Sequence, residues 1–225
     1  MTSVLITGGT GFVGAHLVRA CLARGYRVSV LTRSGSSTER LAQVLSVIET
    51  LPVAYTDPAS IRAAVREAQA DIIFHLAATT RYTSQDPVQD AAQSIDDNLT
   101  PLLVVLAAAV ETPPKILIRS GTIAEYGDIA RPYLETAREA PQSVYAASML
   151  AGTQYLAAVR AGLPFATSTA RLALTYGPMQ NPDFLIPQLI GACRAGKPLS
   201  IHRPLDRRDL IHVGDVVCGL LKLAD

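Results

Sequence analysis

The 225-residue sequence predicts an α/β fold built on a doubly wound parallel sheet, with helices on both of its faces. Short runs rich in Val, Ile and Leu alternate along the chain with segments of helical, amphipathic periodicity. These apolar runs do not alternate with polar residues, which is typical of parallel strands buried on both faces. Because strands and helices follow each other in turn, the chain should form βαβ units with right-handed crossovers.

Five strands and five helices are predicted between residues 3 and 172. The predicted strands are residues 3–7, 27–31, 71–76, 115–119 and 165–172. The predicted helices are residues 11–24, 39–48, 60–68, 90–110 and 143–160. Pro101 lies inside the fourth of these helices. It should kink that helix, or restart it with Thr100 near the cap, because proline lacks the amide proton of a helix interior.

Composition excludes several classes of protein. Hydrophobic residues make up 49% of the chain and charged residues 17%, which does not fit a disordered or coiled-coil protein. The formal charge of +1 provides no excess of cations for nucleic acid or for an anionic membrane. The longest apolar run, residues 102–110, is far shorter than the roughly 18 residues that a membrane span needs.

Neither a metal site nor a secretory signal is predicted. The three cysteines are far apart with no CxxC pair, and the four histidines form no HExxH motif. His75 ends an apolar strand and is interpreted as a structural histidine, while His202 and His212 are interpreted as loop and strand-edge residues. The first residues lack a basic region and a cleavage pattern, so a cytoplasmic protein is expected.

The first predicted strand runs directly into the glycine-rich segment TGGTGFVG, residues 7–14. Gly8 permits a tight turn, Gly11 lets backbone amides approach an anion, and Gly14 lets the next helix pack closely on the strand. The amino end of that helix carries partial positive charge toward a bound pyrophosphate. At the first strand–helix junction of a βαβ chain, this spacing predicts a Rossmann-type domain that binds a dinucleotide.

The end of the second strand indicates which dinucleotide is preferred. Sites that prefer NAD usually carry an acidic residue there, which bonds the ribose 2′-hydroxyl. Here Arg33 and Ser34 follow the strand, and no acidic residue occurs before Glu39. Because an arginine can hold a 2′-phosphate through charge-assisted hydrogen bonds, NADP(H) is favoured over NAD(H).

The composition changes after Tyr176. Prolines at positions 178, 182, 187, 198 and 204 interrupt the alternation, and one clear helix, residues 184–195, lies among them. A helix-like run begins at Asp215. We therefore expect residues 1–176 to form the NAD(P)-binding domain, and residues 177–225 to form a small substrate-binding region that partly returns to that domain.

Several motifs in a fixed order give the sequence a resemblance to a known enzyme family. Besides the glycine turn, they are FHLAA at 74–78, Asn98, RSGT at 119–122, YG at 126–127, YAAS at 145–148, Arg171, YGP at 176–178 and RDLIHV at 208–213. Together they resemble the extended short-chain dehydrogenase/reductase family, in its nucleotide-sugar epimerase/dehydratase branch. The resemblance covers nearly the whole chain.

The resemblance implies a role for each matching residue. Thr122 corresponds to the catalytic Ser or Thr that bonds the substrate oxygen, and Tyr145 corresponds to the acid/base. Together with Arg33 and Ser34 at the end of the second strand, the residues that the resemblance implies complete the expected cofactor site. The expected cofactor-binding residues are Gly8, Thr10, Gly11, Phe12, Val13, Gly14, Arg33, Ser34, Leu76, Ala77, Ala78, Asn98 and Tyr145. The expected substrate-binding residues are Thr80, Arg81, Thr122, Asn181, Phe184, Leu185 and Arg208, the last on a diphosphate.

One position departs from the family pattern Tyr-x-x-x-Lys, because Met149 stands four residues after Tyr145. A lysine there would lower the pKa of the phenol and reach the nicotinamide ribose. Three interpretations stay open. Tyr145 donates a proton as a neutral phenol, which suits reduction better than oxidation; another cation (Arg81, Arg119 or Lys115) replaces the lysine; or catalysis is lost.

A second departure narrows the chemistry. Ile123 and Ala124 follow Thr122, where family members that dehydrate the sugar carry an Asp-Glu pair. Two apolar side chains cannot transfer protons, so 4,6-dehydration is not expected. Glu125 comes one position too late for this role.

The function expected from the sequence is an NAD(P)-dependent oxidoreductase that acts on a nucleotide-linked sugar, with a keto-sugar reductase as the leading form. A nucleotide-sugar 4-epimerase is the first alternative, and it must both oxidise and reduce one carbon. A ketoreductase for a non-sugar ketone and a catalytically degraded NAD(P)-binding sensor are the others. A homodimer formed through residues 90–110 and 143–160 is also expected from the family.

Overall fold

A six-stranded parallel sheet forms the centre of the protein. The computed structural model describes residues 1–84, 86–201 and 204–225. The strands are β1 (Ser3–Thr7), β2 (Arg27–Arg33), β3 (Glu49–Val53), β4 (Ile72–His75), β5 (Ile116–Thr122) and β6 (Ala166–Leu172). Their order across the sheet is β3-β2-β1-β4-β5-β6, and all neighbours are parallel. The order reverses between β1 and β4, which confirms the doubly wound, Rossmann-type fold.

Helices cover both faces of this sheet. They are α1 (Phe12–Ala23), α2 (Pro58–Ala68), α3 (Pro87–Asn98), α4 (Thr100–Glu111), α5 (Val144–Val159), α6 (Leu185–Ala195) and α7 (Val213–Ala224). On one face, Leu5 and Leu117 pack against α2, α4 and the end of α5. On the other face, Ile6 and Ile118 pack against α1 and α7. Because neighbouring strand residues point in opposite directions, the unbroken apolar runs fill two cores at once.

The strand register sets which side chains meet at the carboxyl edge of the sheet. Thr7, the last residue of β1, pairs with His75 on β4, and His75 pairs with Arg119 on β5. Residues paired in register point to the same face, so these three polar side chains form a row above the apolar core. The row lies beside the crevice where the strand order reverses, which is the usual ligand site of such sheets.

The region between β2 and α2 differs from the prediction. The helix predicted at 39–48 is wrong, because the chain forms two short 3-10 turns, Glu39–Leu41 and Leu45–Val47, of which only Leu41 is buried. Leu41 packs in the core around α1, with Val44 and Ile48 partly buried against it, so these apolar side chains reach the core without a continuous helix. Strand β3 was not predicted. It contains Pro52, which is tolerated because β3 is the edge strand of the sheet.

The helix predicted at 90–110 is two helices. α3 ends at Asn98 and α4 begins at Thr100, with Pro101 in the first turn. The restart at the proline is therefore confirmed, because proline fits a first helical turn where its missing amide proton is not needed. α3 begins earlier than predicted, since Asp86 caps it and Pro87 starts it.

The part of the chain after Tyr176 is less regular. A short strand β7 (Leu174–Tyr176) pairs in parallel with β8 (Leu210–His212), apart from the main sheet. None of the side chains of α6 is buried, whereas α7 contributes Val216 and Leu220 to the core around α1. The boundary at residue 176 stays a prediction. His212 ends β8 as expected and caps α7, while His202 lies outside the described residues.

Over the described residues, no helix combines the length and the apolar character that a bilayer span requires. The same residues contain no group of three or more His, Cys, Asp or Glu side chains arranged to hold a metal ion.

Replacing Leu5 with alanine should lower the free energy of unfolding by about 2–5 kcal/mol, because a fully buried side chain leaves a cavity at the centre of the sheet. Chemical denaturation measures the change. The matched control is Leu45→Ala on a 3-10 turn, where the side chain is 40% exposed and the expected change is within about 0.5 kcal/mol. Equal losses in the two variants would contradict the assignment of the core.

Candidate functional site

The turn between β1 and α1 brings three chain segments into very close contact. Gly8 has a φ of +69°, and a Cβ there would lie 2.7 Å from the Ala77 amide nitrogen. The Gly11 amide donates a 2.9 Å hydrogen bond to the Gly8 carbonyl. A Cβ on Gly14 would lie 2.1 Å from that same carbonyl oxygen. Only glycine fits at Gly8 and Gly14, so the turn and the helix are held close to the end of β4.

A groove opens at the carboxyl edge of the sheet, between this turn and the segment after β4. Its lining residues are Gly8, Thr10, Gly11, Leu31, Arg33, Ser36, Tyr55, Leu76, Ala77, Ala78, Thr79, Asp96, Asp97 and Pro101. Seven of the expected cofactor-binding residues are therefore brought together here. The amino end of α1 has no side-chain cap, which leaves its first amides available to an anion.

The other expected cofactor-binding residues lie around this groove. Phe12, Val13 and Gly14 form the first turn of α1, and the Phe12 ring contacts His16 edge-on. Ser34 is exposed next to Arg33, just beyond β2. Their part in binding stays a prediction.

Asn98 uses its side chain within the protein. Its Oδ1 accepts a 2.8 Å hydrogen bond from the Thr79 amide, and its Nδ2 donates to the Thr79 carbonyl, the Tyr82 hydroxyl and Ser148 Oγ. Asn98 is buried, so these bonds fix the segment after β4 against α5. The structure gives it a positioning role, while cofactor contact by Asn98 stays a prediction.

Tyr55, which the sequence analysis did not select, lines the groove opposite the glycine turn. Burial raises the pKa of its phenol to about 12, and the nearby Arg33 charge offsets part of this rise. The interaction shows that Arg33 lies near the groove. Both residues follow neighbouring strands at the edge where the adenosine half of a dinucleotide is expected.

The two expected catalytic residues are brought together near the end of β5. Thr122 is the last residue of β5, and Tyr145 lies in the first turn of α5, which Ser143 caps. A hydrogen bond from Thr122 lowers the pKa of the Tyr145 phenol, but burial, the largest effect, raises it, and the balance is a raised pKa. Tyr145 is therefore protonated at neutral pH, as a general acid must be at the start of a reaction.

Arg119 is the cation that the structure places against Met149. Its guanidinium donates a 2.7 Å hydrogen bond to the Met149 carbonyl and a 2.9 Å bond to Thr153 Oγ1, and it lies 3.6 Å from the Met149 sulfur. Lys115 pairs instead with Asp71 near the opposite end of β5. Arg81 stacks on the Phe184 ring, 4.6 Å from its centre. Of the three candidate cations, Arg119 alone is described next to the lysine position.

A buried charge cluster supports the catalytic end of β5. Glu125 is fully buried, accepts the Thr122 amide at 2.9 Å, and pairs with Arg171 at 2.9 Å. Its second oxygen also accepts a 2.8 Å bond from Thr153. Arg171 pairs in addition with Glu139. The spacing Thr-x-x-Glu after a strand is a capping box, and this signal could have identified Glu125 from the sequence.

The expected substrate-side residues are only partly brought together. Arg81 and Phe184 are in contact, as described, and Thr80 and Leu185 are their exposed chain neighbours. Asn181 accepts the Asp183 amide in a local turn, and Arg208 pairs with Asp206. A diphosphate contact by Arg208 stays a prediction.

His75 is a buried structural residue, as expected. Its Nδ1 lies 3.0 Å from Thr7 Oγ1, which also accepts the Ala77 amide. Burial, and to a lesser degree the charge of Arg119, lower the pKa of His75 to about 3. The imidazole is therefore neutral at physiological pH.

Comparison with known proteins finds one matching family. The chain matches the NAD dependent epimerase/dehydratase family over residues 4–225. It is 30% identical over 238 residues to UDP-glucuronate 4-epimerase 1 of Arabidopsis thaliana, covering 99% of this chain and 55% of that protein. It is 29% identical over 240 residues to dTDP-glucose 4,6-dehydratase 1 of Escherichia coli, covering 94% of this chain and 65% of that protein.

Solved structures agree with these matches. The crystal structure of Thermus thermophilus UDP-glucose 4-epimerase in complex with NAD superposes with a TM-score of 0.82 at 29% identity, covering 98% of this chain and 73% of that one. By the coverages of 55% and 65% given above, the chain spans little more than half the length of the Arabidopsis relative and about two thirds of the length of the Escherichia coli relative.

Gly14→Ala should prevent the close packing of α1 on the turn. We expect the free energy of unfolding to fall by about 1–3 kcal/mol, because the new Cβ overlaps the Gly8 carbonyl. Dinucleotide uptake, measured by calorimetry, should be lost with it. The control is Gly191→Ala on α6, where nothing lies within 4 Å and stability should rise by about 0.5–1 kcal/mol. Unchanged binding in the Gly14 variant would refute the role of the turn.

Acid should destabilise the protein through His75. The folded-state pKa of about 3 lies below the reference value of 6.5, so its stabilising contribution is complete above pH 6.5 and is lost as pH falls toward 3. Denaturation across this window should show a slope steeper by up to about 1.4 kcal/mol per pH unit than in His75→Gln. Parallel pH profiles for the two proteins would argue against a buried neutral imidazole.

Proposed function

The chain belongs to the NAD dependent epimerase/dehydratase family of extended short-chain dehydrogenases/reductases, and from this membership we propose that it is an oxidoreductase of nucleotide-linked sugars. Members of this family are enzymes. The observation that supports the proposal is that Thr122 ends β5 and Tyr145 begins α5 close enough to affect each other, at the carboxyl edge of the sheet that also carries the glycine turn. That arrangement provides a proton donor and a hydrogen-bond donor next to a groove suited to a dinucleotide.

The glycine turn supports a bound nicotinamide dinucleotide, because a Cβ at Gly8 or Gly14 would fill the space that the turn needs. When bound, the dinucleotide supplies or accepts a hydride. Thr122 would hydrogen-bond the sugar oxygen at the reacting carbon. Tyr145 would give its phenolic proton to that oxygen during reduction and take it back during oxidation.

Among reactions of this kind we favour epimerisation at C4 of the sugar. The 4-epimerases among the relatives support this choice over the one-directional keto-sugar reductase that the sequence suggested. The dehydratase relatives are a weaker guide, since Ile123 and Ala124 have no group that could carry the protons of an elimination. Epimerisation requires Tyr145 to work in both protonation states.

One-directional reduction of a keto sugar is the second candidate. It is favoured by the raised pKa of Tyr145 and by Met149 at the lysine position. A phenol that holds its proton tightly is a better donor than acceptor, which suits reduction.

The choice of dinucleotide is part of the proposal. The exposed Arg33 beside Tyr55 supports NADP(H), because its guanidinium can pair with a 2′-phosphate. NAD is the dinucleotide bound in the Thermus thermophilus relative. The affinities of the wild type and of Arg33→Ala for NAD(H) and NADP(H) distinguish the two possibilities. If Arg33 contacts the 2′-phosphate, the variant should lose affinity for NADP(H) and keep its affinity for NAD(H).

A homodimer through residues 90–110, which lie in α3 and α4, and residues 143–160, which contain α5, fits the same proposal. Apolar side chains remain exposed on α4 at Leu103 and Val110 and on α5 at Tyr155 and Val159. Two copies could bury these residues against each other around a twofold axis. A monomer at micromolar concentration in gel filtration would contradict this arrangement.

Incubating the protein with NAD⁺ and UDP- or dTDP-linked sugars should yield C4 epimers without net change in NADH. Tyr145→Phe should reduce the rate by about 10²-fold or more, since the proton donor is lost. Tyr26→Phe, a tyrosine at the far end of α1, is the matched control and should be unaffected.

The outcomes separate the candidates. NADPH consumption with 4-keto nucleotide sugars, without epimer formation, would favour the reductase. NADPH consumption with non-sugar ketones, and with no nucleotide sugar, would favour the non-sugar ketoreductase. Dinucleotide binding with no turnover of any substrate would overturn the enzymatic proposal in favour of a sensor.

A further inference from the structure

The strongest unexplained feature is a buried positive charge beneath the second and third turns of α5. Arg119 is 1% exposed, although an arginine is rarely buried without a specific partner. Its guanidinium contacts the backbone of Met149 and the hydroxyl of Thr153, both neutral groups. The Thr153 hydroxyl in turn donates a 2.8 Å hydrogen bond to the buried Glu125 carboxylate, whose negative charge favours the charged form of Arg119. Burying such a group of charges is costly, which raises the question of what Arg119 does besides packing.

Helix α5 leaves space for the guanidinium of Arg119. Gly152 faces the guanidinium, and a Cβ at Gly152 would lie 2.7 Å from Arg119 Nη2. The position one turn before it, Met149, places its sulfur 3.6 Å from the same nitrogen. A strand residue and two helix residues are thus fitted to one another.

Arg119 and Tyr145 are electrostatically coupled. The charge of Arg119 lowers the pKa of the Tyr145 phenol, and an ionised Tyr145 would raise the pKa of Arg119. Glu125 acts in the opposite direction and raises the pKa of Tyr145 by more than Arg119 lowers it. Glu125 is paired with Arg171, and Arg119 is the cation whose charge acts on the Tyr145 phenol.

We propose that Arg119 is a positioning residue that takes the place of the missing lysine, presenting a fixed positive charge to the Tyr145 phenol from β5 rather than from α5. This inference rests on the proposed function for its catalytic meaning. When Tyr145 gives its proton to the sugar oxygen, the O–H bond breaks and the negative charge stays on the phenolate. The guanidinium stabilises the phenolate, which is the form that must accept the proton when the sugar alcohol is oxidised, so both directions of the reaction become accessible.

The same geometry explains why Met149 is not a lysine. A lysine at 149 would have its Cδ at the place of the methionine sulfur, beside the guanidinium. Its ammonium would then be only two bonds farther along the side chain, in a buried site that already holds one cation. Like charges in such a site repel strongly, so Arg119 and a lysine at 149 are alternatives rather than partners.

The first experiment measures the phenol directly and needs no substrate. Ultraviolet difference titration of tyrosinate, with Tyr145→Phe subtracted, follows Tyr145 in the wild type, in Arg119→Met and in Arg119→Lys. We expect the Tyr145 midpoint to rise by about one pH unit in Arg119→Met, because the cation is removed. Arg119→Lys keeps the charge and should stay near the wild type.

The titratable groups around this pair are known from the contacts. His75 faces Arg119 from β4, Glu125 from the turn after β5, and Arg171 from β6. Of these, His75 is neutral well above pH 3, and Arg171 keeps its proton because its pKa is raised. A change in the alkaline titration can therefore be assigned to Tyr145.

The second experiment is a double-mutant cycle. Met149→Lys alone should lower the melting temperature, because it places two cations together. In an Arg119→Met background the same substitution should be tolerated and should restore epimerase activity by about tenfold or more. The single Arg119→Met variant should lose a similar factor in kcat with KM unchanged.

Two results would overturn the proposal. One is an unchanged Tyr145 titration in Arg119→Met. The other is an equal effect of Met149→Lys in both backgrounds, measured by melting temperature. Neither the tyrosinate titration nor the melting temperature depends on turnover. If the protein turns over no nucleotide sugar but the Tyr145 titration still shifts in Arg119→Met, the coupling of Arg119 to Tyr145 stands and only the proposed sugar chemistry is removed.

Discussion

The hydrogen bond from the Gly11 amide to the Gly8 carbonyl closes the turn on which the rest of the site depends. It holds the amino end of α1 against the end of β4, with the Gly8 Cα facing the Ala77 amide. The groove, the row of polar side chains on β1, β4 and β5, and the segment that Asn98 fixes are all arranged around this contact. A dinucleotide site needs such close backbone approach, and only residues without a Cβ provide it.

A second constraint is a group of charged residues at the other end of the carboxyl edge of the sheet. Four charged residues, Arg119, Glu125, Glu139 and Arg171, lie close together between β5, β6 and α5, and their charges balance. Burying them removes water from the phenol of Tyr145 and raises its pKa. The pKa of Tyr145 therefore depends on how this cluster arranges its charges, since Glu125 raises it and Arg119 lowers it.

Much of the fold could be predicted from local patterns. The apolar runs identify five of the strands because a strand buried on both faces has no polar residues to interrupt it. Strand β3 escaped prediction because it is an edge strand containing Pro52, which local rules associate with a turn. The helix predicted at 39–48 is wrong because the apolar residues of this segment reach the core around α1 from two short 3-10 turns, which give the same spacing of apolar residues over a short stretch.

The residues of the candidate site also fall into those that the sequence could indicate and those that depend on tertiary contacts. The glycine turn follows from spacing within one continuous motif, while Thr122 and Tyr145 were indicated by the family resemblance of two separate motifs. The contact of Arg119 with Met149 depends on the register of β5 under α5 and on the space left by Gly152. Those are tertiary facts, and the sequence could therefore do no more than name Arg119 among three candidate cations.

The most direct test is calorimetric titration of the purified protein with NAD⁺, NADH, NADP⁺ and NADPH. If the first crossover binds a pyridine dinucleotide, at least one of the four will bind with a stoichiometry of one per chain, and ADP-ribose will compete with it. Absence of measurable binding for all four, up to millimolar concentration, would contradict the assignment of the groove and everything built on it.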